Sequence, residues 1–239
     1  MLSVMRKEWR SYFFTPTGYV FIAIFWLLGA AFFFLYNILA ATADLSSLFG
    51  NLSYLFMLIV PLLTMRLFSE DRKQKTDQLF YCAPVSLWSV TAGKFAAAMG
   101  VLCVSLAGTG LYVLILSLYA DLSLGSVMAQ YLAFLLLGAC YIAVGLFMSS
   151  LTDSQITAAV LTLAANMLLQ LAEMSSATAA TPYLPFLPAL LGCVSLNQRY
   201  SQVASGVIHP TDVGYFLLFA AVFLCAAVAV LALRKSKRR

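Results

Sequence analysis

The densest chemistry in the chain lies between two apolar runs. LSYLFMLIVPLLTM is followed by RLFSEDRKQKTDQLF, which places Arg66, Glu70, Asp71, Arg72, Lys73 and Thr76 within one short block. Interleaved charges of both signs suit ion pairing in a polar, partly desolvated groove rather than bond making. The residues that bond making would need are missing. No G-x-x-x-x-G-K-[ST] is present, so no loop of that kind cradles nucleotide phosphates. His209 is the single histidine and has no clustered ligands around it. No Ser or Cys has a histidine partner in a recognisable motif, and zinc-protease motifs are absent.

A second polar set is spaced differently. Thr162, Asn166, Gln170 and Glu173 follow one another at steps of four, four and three, which is one face of a helix. Inside a bilayer such a face turns toward other protein or a water-filled path. It is either a helix–helix or dimer contact or part of a lined pathway.

The elements that must hold these sets are apolar. The chain has 239 residues, 63% hydrophobic and only 10% charged, against about 25% charged in an average soluble domain. A membrane span needs about 20 mostly apolar residues. Six stretches qualify: 17–41, 52–68, 92–119, 127–149, 155–172 and 212–233. They leave no room for a soluble catalytic domain, so residues 1–239 read as one all-α integral membrane domain. The first run lacks a small-residue cleavage site, and the first span is expected to be retained.

The net charge of +5 reports membrane sidedness, not nucleic-acid binding. Thirteen of the fourteen basic residues fall before span one, between spans two and three, or after span six; Arg199 is the exception. Lys and Arg mark the cytoplasmic side, so six spans with both termini cytoplasmic are expected. A count of five or seven would carry one terminal basic cluster outside. The five cysteines are odd in number and lack C-x-x-C, which argues against a disulfide framework.

Several local features fill in the plan. Leu2, Met5, Trp9, Tyr12 and Phe13 recur at helical spacing, with Arg6, Lys7 and Arg10 elsewhere on the wheel. Residues 1–15 therefore read as an interfacial amphipathic helix, its aromatic face in the acyl region and its cations near anionic lipid; a plain charged flank is the alternative. Pro61 kinks span two, as a hinge or as a packing accommodation. Residues 66–91 read as a short helix across the membrane surface, ended by Pro84, or as an ordinary solvated loop. Gly100, Gly108 and Gly110 allow close approach to span three. Spans four and five, joined by a very short turn with Asp153, should be antiparallel neighbours. Residues 174–211 are apolar and proline-broken, so they read as a re-entrant or short-helical outer segment.

The residues also carry a family resemblance. Thr64-Met65-Arg66, Glu70-Asp71-Arg72, Thr76, Leu79, Pro84 and Gly93-Lys94 resemble the pattern of ABC-2 type permeases, specifically the gliding-motility-associated group. Lys75 and Gln78 stand where that pattern has Gly and Glu. KEWRSYFFTPTGYV, GLFMSSLTDSQI and SGVIHPTDVGYF look like the same family. The resemblance implies that the block after Arg66 is a coupling helix, with Arg66, Glu70, Asp71, Arg72, Lys73 and Thr76 docking a separate ABC ATPase subunit. ATP and Mg would sit on that partner, and this chain would bind no cofactor and catalyse nothing. A second permease copy or a related permease would complete a dimer, and an extracytoplasmic accessory subunit could join. The expectation is an exporter permease of the bacterial cytoplasmic membrane; the alternative is an ATP-independent secondary carrier or a membrane scaffold subunit. Because Glu70 and Asp71 lie outside the bilayer in this reading, reversing both charges should leave the spans inserted.

Overall fold

Apolar runs of this length satisfy their backbone groups internally only as helices, and every regular element among the described residues is helical. The computed structural model describes residues 2–40, 42, 44–73, 86–119, 123–178, 195–206 and 209–237. Helix α1 is Leu2–Phe14. α2 (Pro16–Phe33) opens on proline, whose missing N–H costs nothing at a first helical position, and runs on into a π-helical segment, Phe34–Leu39. α3 (Ser46–Thr64) is separated from α4 (Arg66–Lys73) by Met65 alone. α5 is Leu87–Ser117, α6 Leu124–Leu151, α7 Gln155–Thr178, α8 Leu196–Ala204 and α9 Pro210–Lys237.

Among the described residues, five stretches are long and apolar enough to cross a membrane: Pro16–Leu39, Ser46–Lys73, Leu87–Ser117, Leu124–Leu151 and Pro210–Ser236. Within α7, Gln155–Leu171 is apolar but shorter. Most of the helices outrun the bounds expected from hydropathy, because backbone bonding continues where apolar character stops. At α5 the start is set by Ser86, whose Oγ accepts the Ser89 N–H at 3.2 Å. The π-helical segment was not expected; buried Asn37 within it donates to the Thr42 and Asp44 carbonyls at 3.0 and 3.1 Å, closing the turn into α3.

α6 is the central helix, packed against α3, α4, α5, α7, α8 and α9. Its Phe134 meets Phe25 of α2 and Phe49 and Phe56 of α3 edge-on, with centroids 5.8, 5.8 and 5.1 Å apart. Close packing matters here because lipid tails are as apolar as leucine, so fit rather than hydrophobic burial holds helices together. Gly145 shows how tight the fit is: a Cβ there would lie 2.3 Å from Thr64 Oγ1. On the periphery, Leu27, Leu111, Leu114, Leu217 and Leu218 point outward.

α1 corrects one expectation. Its aromatic face meets protein, not lipid. Trp9 lies over Gly100 of α5, and buried Tyr12 donates to the Leu63 carbonyl of α3 at 2.9 Å. Gly108 sits likewise beneath Trp26, whereas Gly110 faces open space. α6 and α7 do pack as neighbours. Of the outer segment, α8 packs on α6 and α7; the proline-broken run lies outside the described residues.

Candidate functional site

α4 begins one residue after α3, so its first N–H groups need acceptors. Ser149, from the last turn of α6, supplies one. Its Oγ accepts the N–H groups of Phe68 and Ser69 at 3.1 and 3.3 Å and donates to the Met65 carbonyl at 3.3 Å. A side chain from another helix thus caps α4. Leu67, Phe68 and Ser69 are buried, and α4 packs on α6 and α7.

Four of the five charges of α4 enter three internal attachments. Arg66 forks onto Glu70 one turn on, Nε and Nη2 each 2.6 Å from a carboxylate oxygen, while Nη1 donates to Thr17 of α2 at 3.1 Å. Asp71 Oδ2 lies 2.6 Å from Lys94 Nζ of α5, and the same ammonium lies 2.7 Å from Glu8 Oε1 of α1. Lys94 is 1% exposed and sits 5.3 Å from the Phe68 ring centroid. Arg72, also buried, donates to the carbonyls of Ser150 and Thr152 and to Asp153 Oδ1, the last two at 2.9 and 3.2 Å. Arg234 of α9 reaches the same Asp153 oxygen at 3.0 Å and donates to the Leu151 carbonyl. Two guanidiniums therefore satisfy carbonyls at the C-terminal end of α6, where a helix leaves acceptors unmet and favours positive charge.

These contacts gather α1, α4, the start of α5, the α6–α7 turn and the end of α9 at one end of the bundle. At the other end of α9, Arg199 of α8 pairs with Asp212 at 3.0 Å and stacks 4.3 Å from the Tyr215 ring centroid. Asp153 itself is largely exposed. Burial is the largest single influence and pushes its carboxyl up, but the hydrogen bonds and charges of Arg234 and Arg72 together outweigh it and hold the carboxyl below its ordinary value.

Of the expected docking residues, Arg66, Glu70, Asp71 and Arg72 face the body of the protein, and Lys73 is exposed. Thr76 lies outside the described residues. Reversing Glu70 and Asp71 would also break two internal pairs, since Glu70 holds Arg66 and Asp71 holds Lys94. Sequence reasoning missed Lys94 and Asp153 as their partners, and Glu8, Arg234 and Ser149 as the residues that complete the same end of the bundle. One signal was available: a lysine at the head of an apolar run, Gly93-Lys94, needs an acid nearby.

The polar face of α7 bonds within the chain. Thr162 donates to the Ala158 carbonyl of its own helix at 2.8 Å, Asn166 to the Met57 carbonyl of α3 at 3.3 Å, and Gln170 Oε1 accepts from Asn197 of α8 at 2.5 Å. The Glu173 side chain lies outside the described residues.

The family profile described as ABC-2 family transporter protein matches residues 33–229. The match takes in α3 to α8 whole, including the ionic end of α4, Lys94 and the Asp153 turn, but leaves out α1. No curated protein matches the chain. Since the profile covers most of the sequence and the described residues supply five span-length apolar helices, the chain belongs to the ABC-2 transporter family and is a multi-pass membrane permease.

Proposed function

We propose that this chain is the permease subunit of an ATP-driven exporter in a bacterial cytoplasmic membrane, worked by a separate ATPase that carries the ATP and Mg. In this reading α7 completes a set of six spans. The ionic end of the bundle and both termini are cytoplasmic, and α4 with the residues after it is the coupling segment. A second permease copy or a related permease, and a second ATPase, complete the assembly. The substrate is left to the family's range of lipids, polysaccharides, peptides and drugs.

One observation carries this reading. α4 is tied through buried Lys94 to α5 and on to Glu8 of α1, through buried Arg72 to the end of α6, and through the largely exposed Asp153 to α9. A push on α4 is thereby delivered to four other helices, which is what a chain with no nucleotide loop of its own needs from a soluble motor. A secondary carrier would place ionisable groups at mid-span; here the described ion pairs lie at helix ends.

The test uses Lys73, an exposed residue of α4. Lys73→Glu spares the internal pairs of α4, and the ATPase recovered with tagged permease from native membranes is compared with wild type. The expected result is reduced recovery and reduced transport-coupled hydrolysis, with the permease still inserted. Equal recovery and equal hydrolysis would remove the docking role of this segment. Absence of any ATPase from wild-type preparations would favour the carrier or scaffold.

A further inference from the structure

With its aromatic face covered by α5 and α3, α1 keeps a second face that no other described element covers. Arg6, Arg10 and Phe14 follow one another at steps of four, one turn apart, and form a straight ridge. All three are exposed, Phe14 at 85%. The helix's one acid, Glu8, is turned away from this ridge and bound to Lys94. The ridge is therefore cationic with an apolar tip, and no carboxylate on its own helix neutralises it. Phe13, beside that tip, packs edge-on against Tyr19 of α2 at 5.9 Å. Tyr19 is itself 57% exposed and starts the outward apolar side of α2, which continues through Val20 and Leu27. The ridge thus adjoins the surface that lipid would cover. Its depth is set by the apolar helices: the Glu8–Lys94 pair and the Trp9–Gly100 contact place α1 beside the first turns of α5.

We propose that the Arg6–Arg10–Phe14 ridge binds anionic phospholipid, the two guanidiniums taking headgroup phosphates and Phe14 entering the acyl boundary. Charge complementarity selects this occupant, because guanidinium groups pair with phosphate through a planar fork. An apolar ring beside cations suits the headgroup–acyl boundary better than a wholly polar protein surface. The inference does not rest on the ATPase reading.

The test is lipid retention by the purified full-length protein, followed by native mass spectrometry during titration with phosphatidylglycerol or phosphatidylcholine. Wild type should prefer phosphatidylglycerol. Arg6→Gln with Arg10→Gln should lower that preference about thirtyfold, the effect of two cations at an anionic surface. Arg6→Lys with Arg10→Lys should keep most of it. Arg238→Gln with Arg239→Gln removes equal charge elsewhere and should leave it unchanged. Phe14→Ser should weaken retention of both lipids. If the double glutamine variant is unstable, each single variant should show about a fivefold loss. Full preference in the Arg6/Arg10 glutamine variants would overturn the proposal, as would an equal loss in the Arg238/Arg239 control. So would unchanged lipid preference with reduced ATPase recovery, which would assign the ridge to a protein partner.

Discussion

The side-chain amide of Asn166 replaces the backbone donor that Pro61 removes from α3. In an uninterrupted helix the N–H of residue 61 would bond the carbonyl of Met57, and proline has no N–H to give. Asn166 reaches that same carbonyl from α7 at 3.3 Å, with both residues buried. In an apolar interior an unmet carbonyl is costly. The polar face of α7 and the proline of α3, which look unrelated along the chain, are therefore two halves of one contact.

Replacing Asn166 with Leu should destabilise the protein by about 1 kcal/mol, the scale of interhelical hydrogen bonds in membranes. In a Pro61→Ala background the same change should cost close to nothing, because the helix again supplies its own donor. Thermal unfolding of the four proteins in one detergent measures the coupling. Equal costs in both backgrounds would show that the amide does not serve this carbonyl.

Lys94→Met should be among the most damaging changes in the chain. It strips a buried cation from Asp71 and Glu8 together, and removing one member of a buried ion pair costs about 3–5 kcal/mol. Asp71→Asn alone should cost less, since Glu8 remains. The readouts are folded yield and unfolding temperature. A Lys94→Met protein as stable as wild type would mean that the triad does not anchor α4. For the same reason, ATPase loss on reversing Glu70 and Asp71 would not by itself identify a docking surface.

Asp153 makes a pH-dependent contribution. Burial, the largest single influence, pushes its carboxyl up, but the hydrogen bonds and charges of Arg234 and Arg72 together outweigh it and hold the carboxyl below its ordinary value of 3.8. A depressed carboxyl stabilises the fold fully above its unfolded value, and that stabilisation is lost as pH falls through the folded value. The stability gap between wild type and Asp153→Asn should stay constant above about pH 5 and close as the pH drops below the ordinary carboxylate range. A gap that does not change with pH would sink the assignment.

Gly100 carries the ring of Trp9 directly. A Cβ there would fall 1.7 Å from Trp9 Cζ3, so the ring must move. Gly100→Ala should cost about 1–3 kcal/mol, the usual range for overpacking. It should cost far less in a Trp9→Ala background, where the ring is gone. Unfolding temperatures of the two single variants and the double variant decide whether the contact exists in solution.

Sidedness can be read directly. A reporter fused after Arg239 should behave as cytoplasmic, and one inserted near Ser176 as external. A tail found outside would overturn the arrangement in which the ionic end faces the ATPase.

The apolar periodicity and the placement of Lys and Arg were enough to read an all-helical membrane protein, the approximate position of five span-length helices and a helix with an aromatic face at residues 1–15. Those features depend on composition over twenty residues at a time, and composition is local. The charged block after Arg66 was equally plain as a block, but its function looked external because Arg66, Glu70, Asp71 and Arg72 have no visible partners nearby, apart from each other. Their partners are Thr17, Lys94 (shared with Glu8) and Asp153, and they come from segments far apart in the chain. The same holds for Ser149 capping α4 and for Asn166 serving the carbonyl freed by Pro61. Which charge is satisfied inside, which face of α1 meets protein and which residues stay exposed are set by the order in which helices pack around α6. That order depends on side-chain fit between segments distant in sequence, so only the tertiary structure decides it.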